Sequence, residues 1–183
     1  MAARAFAAPA GYVVRPARAG EVAALPAIEA AAATLHGGGE AFATTTPIDE
    51  LEGARGRGHL LVAATAGDER PVGFAVLGER AGELLLEEID VHPDHGRRGL
   101  GATLVRAVIE LAAATGAARL VLSTMRDLPF NAPFYAAHGF VALADDALTP
   151  ALHALRAAEA ARGLPIARRV IMARPLGRSS RLS

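Results

Sequence analysis

Apolar positions along this chain change period several times, and each change marks an element. Tyr-Val-Val-Arg-Pro is a short β-branched and aromatic run closed by proline, which predicts a strand over Tyr12–Pro16. The spacing then lengthens. Val22, Leu25, Ile28 and Ala32 share one helical face, predicting a helix over residues 21–35 that Gly37, Gly38 and Gly39 end. Residues 39–46 are small and polar and predict a loop, and 47–54 predict a short helix capped by Thr46. Strands are expected over 59–65, 72–77 and Glu83–Val91 as an antiparallel meander, with turns at 68–71 and 78–82.

Leu100, Leu104, Val108 and Leu111 repeat at helical spacing up to a stop at Gly116. A strand over 119–124 follows, then a short helix capped by Asn131 and closed by Gly139. A strand over 140–143, a helix over 147–162 and a strand over 168–174 complete the order. The succession predicts an α/β (α+β) fold, a central mixed and mostly antiparallel sheet flanked by helices. One domain is expected over residues 12–176, with flexible tails at 1–11 and 177–183.

Composition removes several function classes. The chain has 183 residues and 52% hydrophobic positions, enough for a substantial core. Basic and acidic residues number 19 each, so no general affinity for nucleic acid or a membrane surface is expected. Cysteine is absent, which excludes disulfides and thiolate chemistry, and the six histidines show no metal-ligand spacing; no metal is expected. No signal peptide or spanning run stands out, so a cytoplasmic setting is expected.

Chemistry concentrates at residues 87–101, Glu-Glu-Ile-Asp-Val-His-Pro-Asp-His-Gly-Arg-Arg-Gly-Leu-Gly. A strand stops at a proline, a glycine- and arginine-rich loop follows, and a helix begins. Such a loop offers backbone N–H groups and a helix dipole to an anion. Gly99 and Gly101 let a phosphate approach the backbone, and Arg97 and Arg98 add cations suited to its oxygens. A Walker loop is excluded because the chain contains no lysine; a dinucleotide fingerprint is excluded because its third glycine position holds Leu104.

What remains, Val91-His92-Pro93 followed by Gly99-Leu100-Gly101, resembles the pyrophosphate loop of the GNAT superfamily of acyl-CoA-dependent N-acetyltransferases. The family usually carries Gln or Arg where this chain has Gly96. A second segment, residues 124–135, reads Thr-Met-Arg-Asp-Leu-Pro-Phe-Asn-Ala-Pro-Phe-Tyr and precedes Gly139-Phe140. It is similar to a bacterial GNAT subgroup, with Phe130 in place of the usual tryptophan.

The resemblance implies a GNAT-like fold with acetyl-CoA as co-substrate. Val91, His92, Gly96, Arg97, Arg98, Gly99, Leu100, Gly101, Ala102, Asn131 and Tyr135 would bind it. Backbone groups near Val91 would hold the pantetheine arm and polarise the thioester carbonyl. Tyr135 would be the acid, because a phenol of pKa about 10 can protonate a departing thiolate whose conjugate acid lies near 8.5. Glu88 would be the base; strand alternation places it with Asp90 on one face and Glu87 with Ile89 on the other. His92 and His95 read as loop residues, His95 near the phosphates.

The activity implied is acetyl transfer to a primary amine of a small molecule by direct attack in a ternary complex. A protein or peptide N-acetyltransferase and a non-catalytic acyl-CoA sensor are the alternatives. Residues 35–54 and 145–162 are expected to border the acceptor, and a homodimer is compatible with the family.

Overall fold

The computed structural model describes residues 5–36 and 45–177. Seven strands follow the hydrogen-bonded order β1-β2-β3-β4-β5-β7-β6. They are β1 (Tyr12–Pro16), β2 (Leu60–Thr65), β3 (Pro71–Arg80), β4 (Glu83–Val91), β5 (Arg119–Met125), β6 (Val141–Ala142) and β7 (Arg169–Pro175). The helices are α1 (Leu25–Ala33), α2 (Ile48–Gly56), α3 (Leu100–Ala114), α4 (Ala132–Ala136) and α5 (Pro150–Ala161). β4 and β5 run parallel at Leu85 and Val121, while β1–β2, β2–β3, β5–β7 and β6–β7 are antiparallel. The mixed, mostly antiparallel α/β fold expected from the sequence is the one observed.

The chain forms two compact units. Met1–Leu77 with Glu88–Val108 make up the first, and Gly78–Glu87 with Ile109–Ser183 the second. In the first, Leu25 and Ile28 of α1 and Leu51 of α2 bury against Leu60, Val62 and Phe74 of β2 and β3. Each such side chain contributes about 1.5–3 kcal/mol relative to exposure. Leu100, Leu104 and Val108 are buried at the spacing of one helical face of α3. Within the segment expected as a tail, the Phe6 N–H donates to the Val14 carbonyl at 2.9 Å.

Several element boundaries differ from the sequence reading, for local reasons. Residues 19–24 form a 3₁₀ turn and α1 begins at Leu25, because Pro26 fits only in a helix's first turn. The expected stop at Gly37–Gly39 and most of the expected loop lie outside the described residues. Thr46 does not cap α2: its N–H and hydroxyl both donate to Glu29, at 2.8 and 3.2 Å. Gly78 lies inside β3, not in a turn, and the hairpin turns at Ala81 and Gly82, both at positive φ.

In the second unit β5 and β7 pair from Arg119↔Pro175 to Met125↔Arg169, over a core of Val121, Leu148, Leu152 and Ile171. The strand expected over 140–143 shrinks to two exposed residues. α5 starts at Pro150, its first turn capped by the Thr149 hydroxyl, which accepts the Leu152 N–H at 3.4 Å. Glu83 accepts from Arg119 Nε at 3.0 Å and from the Thr149 hydroxyl at 2.9 Å. The Arg119 bond holds its carboxyl below the usual carboxylate range.

Candidate active site

After Val91 the chain folds back before the anion loop begins. The His92 N–H donates to the Val72 carbonyl at 2.8 Å, and the His92 carbonyl accepts the His95 N–H at 2.9 Å. The Gly96 N–H reaches the Pro93 carbonyl at 2.9 Å, so the main-chain donors of His92 and Gly96 are both committed inside the protein. A Cβ at Gly96 would stand 3.1 Å from the Pro93 carbonyl oxygen, a tight contact at the position where the family usually carries Gln or Arg.

The backbone then changes character. Arg97 and Gly99 take left-handed conformations, at φ of +56° and +83°. Alternation of this kind turns successive N–H groups toward one side and makes a concave anion nest. Among the described residues, no backbone acceptor takes the N–H of Arg97, Arg98, Gly99, Leu100, Gly101 or Ala102. The first helical bond is that of Thr103, whose N–H and hydroxyl both reach the Gly99 carbonyl, at 3.0 and 3.1 Å. Six donors at a helix mouth, beside two arginines, have the charge and direction that suit a polyanion.

The nest is tied to β1. The Tyr12 hydroxyl lies 3.0 Å from His95 Nδ1 and accepts from Arg98 Nη1 at 3.2 Å, while Arg98 Nη2 reaches the Asp94 carbonyl at 3.4 Å. Burial lowers the His95 pKa, and the nearby charges of Arg70 and Arg98 reinforce the shift. Both effects favour the neutral imidazole of His95, which shares a hydrogen bond with the Tyr12 hydroxyl through Nδ1.

Glu88 and Asp90 share a face of β4, as alternation predicts, and α1 adds a third carboxylate from Glu29. Their oxygens lie within 4.8 Å of one another. Glu88 also accepts the Ile89 N–H at 3.2 Å. Asp90 is buried, and desolvation followed by repulsion from Glu88 and Glu29 pushes its carboxyl up to about 9. Such a trio holds a proton or attracts a cation. Glu87, on the other face, pairs with Arg80 at 2.6 Å. Ile28, beside Glu29, and His92 line a cavity of about 240 Å³ with Val72 and Arg70.

Asn131 and Tyr135 belong to the second unit. Tyr135 is buried, with edge contacts to Phe134 and Phe140 at 5.2 and 5.9 Å between ring centres. The Asn131 carbonyl accepts the Tyr135 N–H at 3.0 Å. Asn131 stands at the start of α4, yet its side chain makes no cap bond; the cap expected there is not formed.

Residues 28–140 match the model of the acetyltransferase (GNAT) family. The chain belongs to that family. It is an acyltransferase of the acetyl-CoA-dependent N-acetyltransferase class, and solved GNAT structures share its fold. The ribosomal-protein-S18-alanine N-acetyltransferase from Escherichia coli superposes with a TM-score of 0.63 at 18% identity, over 94% of this chain and 98% of that one. N-acetylglutamate synthase from Neisseria gonorrhoeae, complexed with coenzyme A and N-acetyl-glutamate, gives 0.67 at 21%, over 91% of this chain and 35% of that one. The PaiA N-acetyltransferase from Thermoplasma acidophilum, in complex with coenzyme A, gives 0.62 at 14%, over 90% and 98%.

In this GNAT chain, Tyr12 and Glu29 were missed by sequence reasoning. Tyr12 carried no motif, and only the fold brings residues 83 apart into contact. Glu29 did carry a signal. Leu25, Ile28, Glu29 and Ala32 have the i, i+3, i+4, i+7 spacing of a buried stripe, so a carboxylate occupies an apolar position. Among the described residues, no helix is long and apolar enough to cross a membrane.

Proposed function

We propose that this chain moves an acetyl group from acetyl-CoA to a primary amine of a small molecule, by direct attack in a ternary complex. The observation that carries the reading is the row of N–H groups from Arg97 to Ala102 that no backbone acceptor among the described residues takes, set by two left-handed residues at the mouth of α3. A pyrophosphate has the charge and the acceptor oxygens such a row needs. Arg97 and Arg98 stand beside it, and Gly99, Leu100 and Gly101 supply its backbone. The segment over residues 124–135 supports placement in the bacterial subgroup it resembles.

Each remaining step falls to a residue of this chain. Backbone groups near Val91 hold the pantetheine amides and polarise the thioester carbonyl. Glu88 removes the proton from the incoming ammonium. The neutral nitrogen then forms the N–C bond as the C–S bond breaks. Tyr135 gives a proton to the departing sulfur and regains one as the new amide nitrogen sheds its second proton, and Asn131 contributes to holding the donor. Without cysteine, no thioester intermediate on the protein is available, which supports direct attack.

The acidic surroundings of Glu88 favour a cationic small molecule over a neutral peptide segment, and the chain's zero net charge does not favour nucleic acid. A cytoplasmic setting accords with the acetyl-CoA pool. The deciding experiment follows CoA release from acetyl-CoA across panels of primary amines and of peptides. Turnover with an amine and none with peptides supports the reading. Turnover with peptides alone replaces it with the peptide reading, and calorimetric binding of acetyl-CoA with no transfer to any acceptor replaces it with a sensor.

A further inference from the structure

Asp90 is only 9% exposed, and its Oδ2 is fully buried with no hydrogen-bond partner. An ionised carboxylate has no reason to rest there, since a buried acceptor without a donor is costly and two more carboxylates lie within 4.8 Å. The charges acting on Asp90 are those of Glu88 on its own strand and Glu29 on α1, and both are acidic. On the β3 side stands Gly73, with no side chain; a Cβ there would meet the Asp90 carbonyl oxygen at 2.8 Å. Glu29 accepts hydrogen bonds from the N–H and the hydroxyl of Thr46. A proton on Asp90 resolves all of this: it removes the buried charge and gives the carboxyl an O–H to offer Glu88.

We propose that Asp90 is a positioning residue: its buried carboxyl holds a proton against Glu88 and orients the Glu88 carboxylate toward the acceptor amine. The proposal rests on Glu88 being the base. Glu88 is then gripped from two directions, by the Ile89 N–H at 3.2 Å and by the Asp90 O–H. Glu29 keeps the proton in place by making a second anion on Asp90 unfavourable. The pair therefore presents one negative charge to the acceptor, on the half-exposed member Glu88.

Two measurements test this. Carbon-detected NMR titration of the side-chain carboxyls should show Asp90 still protonated at pH 7 in the wild type and titrating at lower pH in Glu88→Gln. An Asp90 carboxyl that is ionised at pH 7 in the wild type overturns the proposal whatever Glu88 does. Kinetics with acetyl-CoA and the best amine of the panel give the second readout. Asp90→Asn keeps an N–H donor and should hold kcat within about 3-fold, whereas Asp90→Ala should lower kcat by at least about 10-fold with KM for acetyl-CoA unchanged. Equal kcat for the Asn and Ala variants overturns the positioning role. Full turnover in Glu88→Gln instead removes the base on which the proposal rests, and the NMR result tells that failure from the first.

Discussion

The hydroxyl of Tyr12 on β1 lies 3.0 Å from Nδ1 of His95 in the anion loop. Arg98 Nη1 donates to the same hydroxyl at 3.2 Å, so a chain of two hydrogen bonds fixes one loop arginine and one loop imidazole to the sheet. A nest binds its anion best when it is already formed, because ordering a loop on binding subtracts from affinity. Tyr12→Phe removes both bonds and leaves the ring packing. It should weaken coenzyme A binding by roughly 3- to 10-fold, corresponding to about 0.5–1.5 kcal/mol for a partly exposed bond. Titration calorimetry reads the change, and unaltered affinity would show that the loop holds its shape without Tyr12.

Gly99 sits at φ +83° in the middle of the nest, where its Cβ position would face Pro9 at 3.7 Å. A residue other than glycine pays about 1–2 kcal/mol for that conformation. A carboxylate there also repels the pyrophosphate. The double variant Arg98→Ala with Gly99→Glu should therefore weaken coenzyme A binding by more than about 100-fold, equivalent to about 2.7 kcal/mol. Calorimetry with a folded variant, verified by circular dichroism, makes the test. Preserved affinity would move the donor site elsewhere.

Tyr135 is buried among Phe134 and Phe140, so its ring serves the core whether or not its hydroxyl serves the reaction. Tyr135→Phe separates the two roles. As the acid, the hydroxyl acts mainly in the transition state, and kcat should fall about 10²- to 10⁴-fold with little change in acetyl-CoA affinity. Wild-type turnover in the variant would assign the proton to another group or to water.

Gly73 allows β3 to approach β4 where Asp90 and Val91 sit. A Cβ at this position would stand 2.8 Å from the Asp90 carbonyl oxygen and 3.1 Å from Val91 Cγ2. Backbone cannot yield as a flexible side chain does. Gly73→Ala should destabilise the protein by about 1–3 kcal/mol, the range for overpacking. It should also lower acetyl-CoA affinity, if Val91 holds the pantetheine arm. A melting temperature equal to the wild type would show that the strands separate without strain.

Elements with a strong local period were legible in the sequence. β1 and β4 fall on their expected residues, and α3 runs from Leu100 as its apolar spacing requires. Elements set by a proline or by an edge were less so. Pro26 and Pro150 fix helix starts that periodicity places earlier, and β6 shrinks because its exposed positions carry no burial pattern. In the site, the loop and the Glu88–Asp90 face were readable because one strand and one turn contain them. Tyr12 was not, since its role arises from a contact between distant segments, and Glu29 was legible only as a carboxylate on an apolar stripe, not as a neighbour of Glu88 and Asp90. The missing cap at Asn131 shows the limit of residue preference, for the position is right and the bond is not made.

Asp90 should make stability depend on pH with a definite sign. Its carboxyl is pushed from an ordinary value of 3.8 up to about 9 in the folded protein, chiefly by desolvation and then by Glu88 and Glu29. Between those values the folded state binds more protons than the unfolded one, so stability falls as pH rises through the window. His95 works in the opposite direction near its own pKa, because its lowered value means the folded state binds fewer protons there. That contribution is common to wild type and Asp90→Asn and cancels in their difference. The stability of Asp90→Asn relative to wild type should therefore rise steadily across pH 5, 6.5 and 8. Urea unfolding at the three pH values reads it directly. A difference that stays flat or shrinks with pH would mean that Asp90 carries its charge at neutral pH, neutralised by a cation bound within the trio.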